Sequence, residues 1–180
     1  QESSVAAARN AIVYNIASRT GKNISTALLA RLAGLDAVVG VKESSGDLNQ
    51  MMDVVAAVRS KKPDFAVLSG DDSLTLPLLS IGGDGVVSVV SNIAPAQVTA
   101  MVKAGLAGDF EEARKLHYRL LPAFRAAFVE TNPIPIKAAM NMMGLPAGTV
   151  RLPLSPLLPE NEARVKQAFR EAGIFGAPRA

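Results

Sequence analysis

The chain has 180 residues, 49% hydrophobic and 19% charged, with a formal net charge of +3. That composition provides for a packed core and excludes an intrinsically disordered chain. With no cysteine and the single histidine His117, disulfides, thiolate metal sites and a cysteine nucleophile are excluded, and histidine-based metal sites or a Ser–His triad have little to draw on.

Lys and Arg are interspersed with Asp and Glu, and aromatic residues are few, so the chain lacks the basic patches and stacking surfaces of a nucleic-acid binder. No run reaches the roughly 18 uninterrupted apolar residues of a membrane helix. The first residues, QESSVAAARN, have no signal-peptide pattern. The expectation is a cytoplasmic protein with no membrane partner.

In chain order, four short apolar runs alternate with helical candidates. The runs AIVYN (11–15), AVVGV (37–41), FAVLS (65–69) and GVVSVV (85–90) are apolar on both faces, as strands of a helix-covered parallel sheet are. The helical candidates are residues 23–35, 47–62, 72–83 and 94–108. The second begins on an Asp cap and ends on a cationic turn, as the helix dipole favours. Four β–α units make an α/β fold with a parallel sheet the economical reading. After Gly108 the rhythm changes. Residues 109–130 form a long amphipathic helix containing Pro122, and 132–144 and 158–173 are shorter helices flanking an extended, proline-rich stretch. Residues 1–108 therefore read as the α/β part and 109–180 as an all-helical domain.

In parallel α/β folds ligands meet the C-terminal ends of the strands. Tyr14, Lys42, Ser69-Gly70-Asp71 and Val87-Ser88 fall at or near such ends. In the run AVVGVKESSGD a strand suited to the core ends on Lys42, a residue type rarely buried unless paired. Apolar walls disfavour the charged form of such an amine, and a neutral amine attacks a ketone to form an imine. Tyr14 can exchange protons as a general acid and base. Arg19, in the following SRTG loop, can grip a carboxylate with its planar fork. The Gly-rich SGDD and GGDG turns offer backbone groups to a small anion. Plainer readings stand beside these. Lys42 pairs with Glu43, Tyr14 is a core tyrosine, Arg19 is a surface residue, His117 lies on a solvated helix face, and Met51, Met52, Met140, Met142 and Met143 fill the core.

The segments YNIASRTG (14–21), VGVKESSGD (39–47), LSGDD (68–72), GGDGVVSV (82–89) and NPIPIK (132–137) resemble, in order and spacing, those of the dihydrodipicolinate synthase family of pyruvate-dependent class I aldolases. The resemblance runs along nearly the whole chain from residue 11. It implies a (β/α)8 TIM barrel with a C-terminal helical domain, needing no cofactor and forming tetramers. The implied reaction is condensation of pyruvate with aspartate semialdehyde through a lysine Schiff base, in lysine and diaminopimelate biosynthesis. On that resemblance Lys42 is the imine-forming lysine, Tyr14 the proton relay and Arg19 the arginine that binds the aldehyde's carboxylate. Val87 and Gly70 border the pyruvate site. Sugar-acid aldolases of the sialic-acid-lyase type are similar in the Tyr and the Lys, and Arg19 favours the synthase over them.

Only four βα units are present, so the resemblance is to the second half of the barrel. It implies an incomplete chain without the threonine pair, the neighbouring subunit's tyrosine and the lysine-feedback residues of the first half. The missing starting Met agrees. A half-barrel would leave segments 11–15 and 85–90 as unpaired edges, so a non-catalytic fragment acting only through association is the alternative to an enzyme.

Overall fold

Residues 10–176 are described by a computed structural model; residues 1–9, most of the stretch read for a signal peptide, and residues 177–180 lie outside them. The chain divides into two compact units, one ending at Val87 and the other beginning at Ser88.

In the first unit, β1 (Ala11–Asn15), β2 (Val38–Glu43), β3 (Ala66–Ser69) and β4 (Gly85–Val86) form one sheet in that order. All three pairings are parallel. A four-residue helix, α1 (Ala17–Thr20), leaves β1, and α2 (Thr26–Leu32), α3 (Leu48–Arg59) and α4 (Thr75–Ser80) fill the three crossovers. Their starts are chemical. Ser25 accepts a hydrogen bond from Leu28 N, and Asp47 accepts from Asn49 N and Gln50 N, satisfying helical N–H groups that have no internal partner. Helix α3 buries Met51, Val54 and Val58, spaced by three and four residues on one stripe. These meet Leu29, Val41, Phe65, Val67 and Leu78 in one core. Each such side chain, fully buried, contributes roughly 1.5–3 kcal/mol.

The fourth strand is shorter than the GVVSVV run suggests, because only Gly85 and Val86 pair with β3. Residues Val90–Asn92 form a 3-10 turn instead. Ser88 Oγ accepts from Ser91 N at 2.8 Å, and Ser91 Oγ donates to Ser88 O, bonds that compete with ladder pairing. The GGDG turn is structural too. It enters β4 from its N-terminal end, and Asp84 accepts from both Arg59 Nη2, at 2.6 Å, and Val67 N, at 2.7 Å.

The second unit is helical: α5 (Pro95–Leu106), α6 (Phe110–Ala126), α7 (Ile134–Met142) and α8 (Pro159–Glu171). Helix α5, grouped with the strands in the sequence reading, packs along α6 within this unit; α8 packs on α6 and α7. Asp109 caps α6, and Glu130 Oε1 accepts from Leu158 N and Asn161 Nδ2 at the start of α8. Pro122 lies inside α6.

His117 departs from its expected solvated face. It is buried on the stripe of Ala113, Leu120 and Phe124, and its ring meets Tyr118 edge-on. Burial, and then the charge of Arg125, lower its pKa below the usual 6.5. The methionines also divide: Met51 is fully buried, while Met52 and Met143 are exposed. No helix among the described residues is long and apolar enough to cross a membrane.

Candidate active site

Successive residues of a strand point to opposite faces of its sheet, and the last residues of β1 and β2 use that alternation. Tyr14 pairs in register with Lys42, and Asn15 with Glu43. Asn15, Glu43 and Ser69 are fully buried on the face that α2, α3 and α4 cover. Tyr14 and Lys42 lie on the other face, where Ile12 is 50% exposed, Tyr14 44% and Val87 43%. Lys42 itself is half-buried.

The Lys42 amine stands 4.0 Å from the centroid of the Tyr14 ring, close enough for the ring's electron-rich face to attract an ammonium. Lys42 forms no ion pair with Glu43, which removes the plainer reading of this lysine. The Glu43 carboxylate lies on the covered face, where it accepts from Asn15 Nδ2 at 2.9 and 3.1 Å, Ser45 N at 2.7 Å and Gln50 Nε2 at 3.4 Å. Tyr14 is likewise no core tyrosine.

Gly70 follows β3 and donates its N–H to Glu43 O at 2.8 Å. It has no room for a side chain, because a Cβ there would lie 1.7 Å from Ser44 Oγ and 2.9 Å from Lys42 Cε. Val87 donates to Ser69 O at 2.8 Å, which sets it beyond β4 at the same end of the sheet. Arg19 is on α1, exposed, directly after β1. All five sequence-derived residues thus belong to the C-terminal ends of the strands or the segments leaving them.

Sequence reasoning overlooked the polar clamp beneath. Besides the bonds to Glu43, Asn15 Nδ2 donates to Asn23 Oδ1, Ile24 N donates to Asn15 Oδ1, and Asn23 Nδ2 donates to Gln50 Oε1 at 2.7 Å. These bonds join β1, β2, α3 and the loop before α2. The available signal was the alternation itself: if Lys42 points one way, Glu43 must be buried the other way and needs donors. Among the described residues, no cluster of three or more His, Asp or Glu could hold a metal ion.

Comparison with known proteins identifies the family. The dihydrodipicolinate synthetase family matches residues 3–172. The 4-hydroxy-tetrahydrodipicolinate synthase of Protochlamydia amoebophila is 51% identical over 159 residues, covering 88% of this chain and 53% of the relative. That of Methanosarcina barkeri is 45% identical over 164 residues, covering 91% and 56%. The crystal structure of the Thermotoga maritima dihydrodipicolinate synthase superposes with a TM-score of 0.89 at 41% identity, covering 92% of this chain and 57% of that one. The chain spans about half the length of the curated relatives it matches. With a family match over nearly its whole length, the chain belongs to the dihydrodipicolinate synthetase family.

Proposed function

We propose that this chain supplies the imine-forming lysine of a 4-hydroxy-tetrahydrodipicolinate synthase, a lyase that condenses pyruvate with aspartate semialdehyde in lysine and diaminopimelate biosynthesis. The observation that carries the reading is the in-register pairing of Tyr14 with Lys42 on the exposed face, with the amine 4.0 Å from the ring. In this reading the neutral Lys42 amine bonds to the ketone carbon of pyruvate, and the ketone oxygen leaves as water. Tyr14 carries protons to and from the intermediates. Arg19 grips the carboxylate of the aldehyde substrate, and Val87 and Gly70 border the pyruvate.

The four βα units are then the second half of an eight-unit barrel. Residues 1–108 form that half, and residues 109–180 form a C-terminal helical domain. The edges of β1 and β4, unpaired among the described residues, would pair with the strands of another half, and whole enzymes of this kind would assemble as oligomers. Small charged substrates suit a cytoplasmic enzyme.

The test is reductive trapping. Pyruvate and borohydride added to the full-length protein should attach a three-carbon label to Lys42, seen by mass spectrometry of peptides. Lys42→Ala should abolish the label. A label on another residue, or one that survives Lys42→Ala, would remove Lys42 from this role.

A further inference from the structure

Beside Lys42 lies a hydroxyl with no partner. Ser44 follows β2, and its backbone N–H donates to Asn15 O at 2.8 Å, so its position is tied to the end of β1. Its Oγ is buried and makes no hydrogen bond. A buried hydroxyl has lost its water and normally recovers a partner from the protein. The space that Gly70 leaves empty shows what the hydroxyl faces: a side-chain carbon there would meet Ser44 Oγ at 1.7 Å and Lys42 Cε at 2.9 Å. The two groups border one small gap, and the Lys42 nitrogen is one bond beyond Cε. At rest that nitrogen is 4.0 Å from the centroid of the Tyr14 ring.

We propose that Ser44 is a positioning residue for Lys42. Its Oγ accepts a hydrogen bond from the Lys42 nitrogen, first in the neutral amine and then in the protonated imine, and holds the nitrogen off the Tyr14 ring. The inference rests on the Schiff-base reading above. An accepting hydroxyl leaves the nitrogen lone pair free to bond to the ketone carbon. The ketone oxygen gains protons and departs as water, and the nitrogen keeps one hydrogen, which needs an acceptor. A charge-assisted bond from that N–H to Ser44 is of the stronger kind. Gly70 completes the device, since a side chain there would occupy the hydroxyl's place.

The experiment measures the rate of borohydride trapping against pyruvate concentration in the full-length protein. With Ser44→Ala the maximal rate should fall about ten-fold, the loss of one such bond. The half-saturating pyruvate concentration should stay within about two-fold, because substrate binding is not what Ser44 serves. Circular dichroism should be unchanged. Should Ser44→Ala fold poorly, Ser44→Thr and Ser44→Val give the same reading, since they share a shape and only the first keeps a hydroxyl; threonine should outpace valine. Equal rates for wild type and Ser44→Ala, or for the Thr and Val variants, would overturn the proposal while Lys42 is still labelled. An unlabelled wild-type protein would instead overturn the Schiff-base reading itself, and this inference with it.

Discussion

The two faces of the four-stranded sheet are built from the same strands, residue by residue in alternation, yet their polar groups are treated oppositely. On the covered face Glu43 is fully buried and accepts from Asn15, Ser45 and Gln50. On the other face the Lys42 amine has an aromatic ring for company, and the Ser44 hydroxyl just beyond the strand has no hydrogen-bond partner. A carboxylate held by several N–H groups is finished structure. An amine and a hydroxyl left short of partners can still form bonds with something that arrives. On the proposed function, stability lies on one face and chemistry on the other, one residue apart.

The largest expected effect tests the stabilising face. Glu43→Ala leaves the Ser45 N–H without its acceptor and takes one acceptor each from the Asn15 and Gln50 amides, which keep Asn23 and Ile24, and should cost about 3 kcal/mol of unfolding free energy. Urea titration would measure it as a lowered midpoint at constant slope. An unchanged midpoint would mean that the clamp does not hold β1 against β2. Next comes the reactive face. Tyr14→Phe keeps the ring under Lys42 and removes only the hydroxyl, so turnover should drop roughly 100-fold while the melting temperature holds. A drop in both would make Tyr14 a structural residue.

The smallest effect uses a control outside the sheet. His117 is buried with its Nδ1 unpartnered, and its folded pKa is lowered by burial and then by Arg125. Its contribution is complete above the unfolded value of 6.5 and fades as pH falls towards the lower folded value, because only the unfolded chain takes up the proton there. Stability should therefore decline below pH 6.5, and His117→Leu should flatten that part of the profile. A profile unchanged by the substitution would remove His117 as its source.

Much of this was legible in the sequence. The strands AIVYN, AVVGV and FAVLS announce themselves by their β-branched residues, and Asp47 and Asp109 mark helix starts by their capping chemistry. Tyr14 and Lys42 stand out because the apolar runs end on them, and both do lie near the C-terminal ends of β1 and β2. What the sequence hid depends on three-dimensional partners. Asn15 and Glu43 are 28 positions apart, and only the strand register makes them neighbours. Residues 87–90 have the composition of a strand, but hydrogen bonds between Ser88 and Ser91 accompany the 3-10 turn Val90–Asn92 instead. His117 looked solvated among Lys115, Tyr118 and Arg119, although its spacing from Ala113 and Leu120 places it on the buried stripe.

The adjacency of Lys42 and Glu43 also bears on how the chain avoids misfolding. Sliding β2 by one position would send every side chain to the opposite face. The ammonium would be forced under α3 and the carboxylate, stripped of its donors, would swing into the open. Such a misthreaded sheet loses the Asn15 pairing and buries a bare cation at once, so it cannot persist as a stable decoy. Conformational quality control is thereby written into two neighbouring letters, and a molecule whose sheet is sound is one that presents its amine outward.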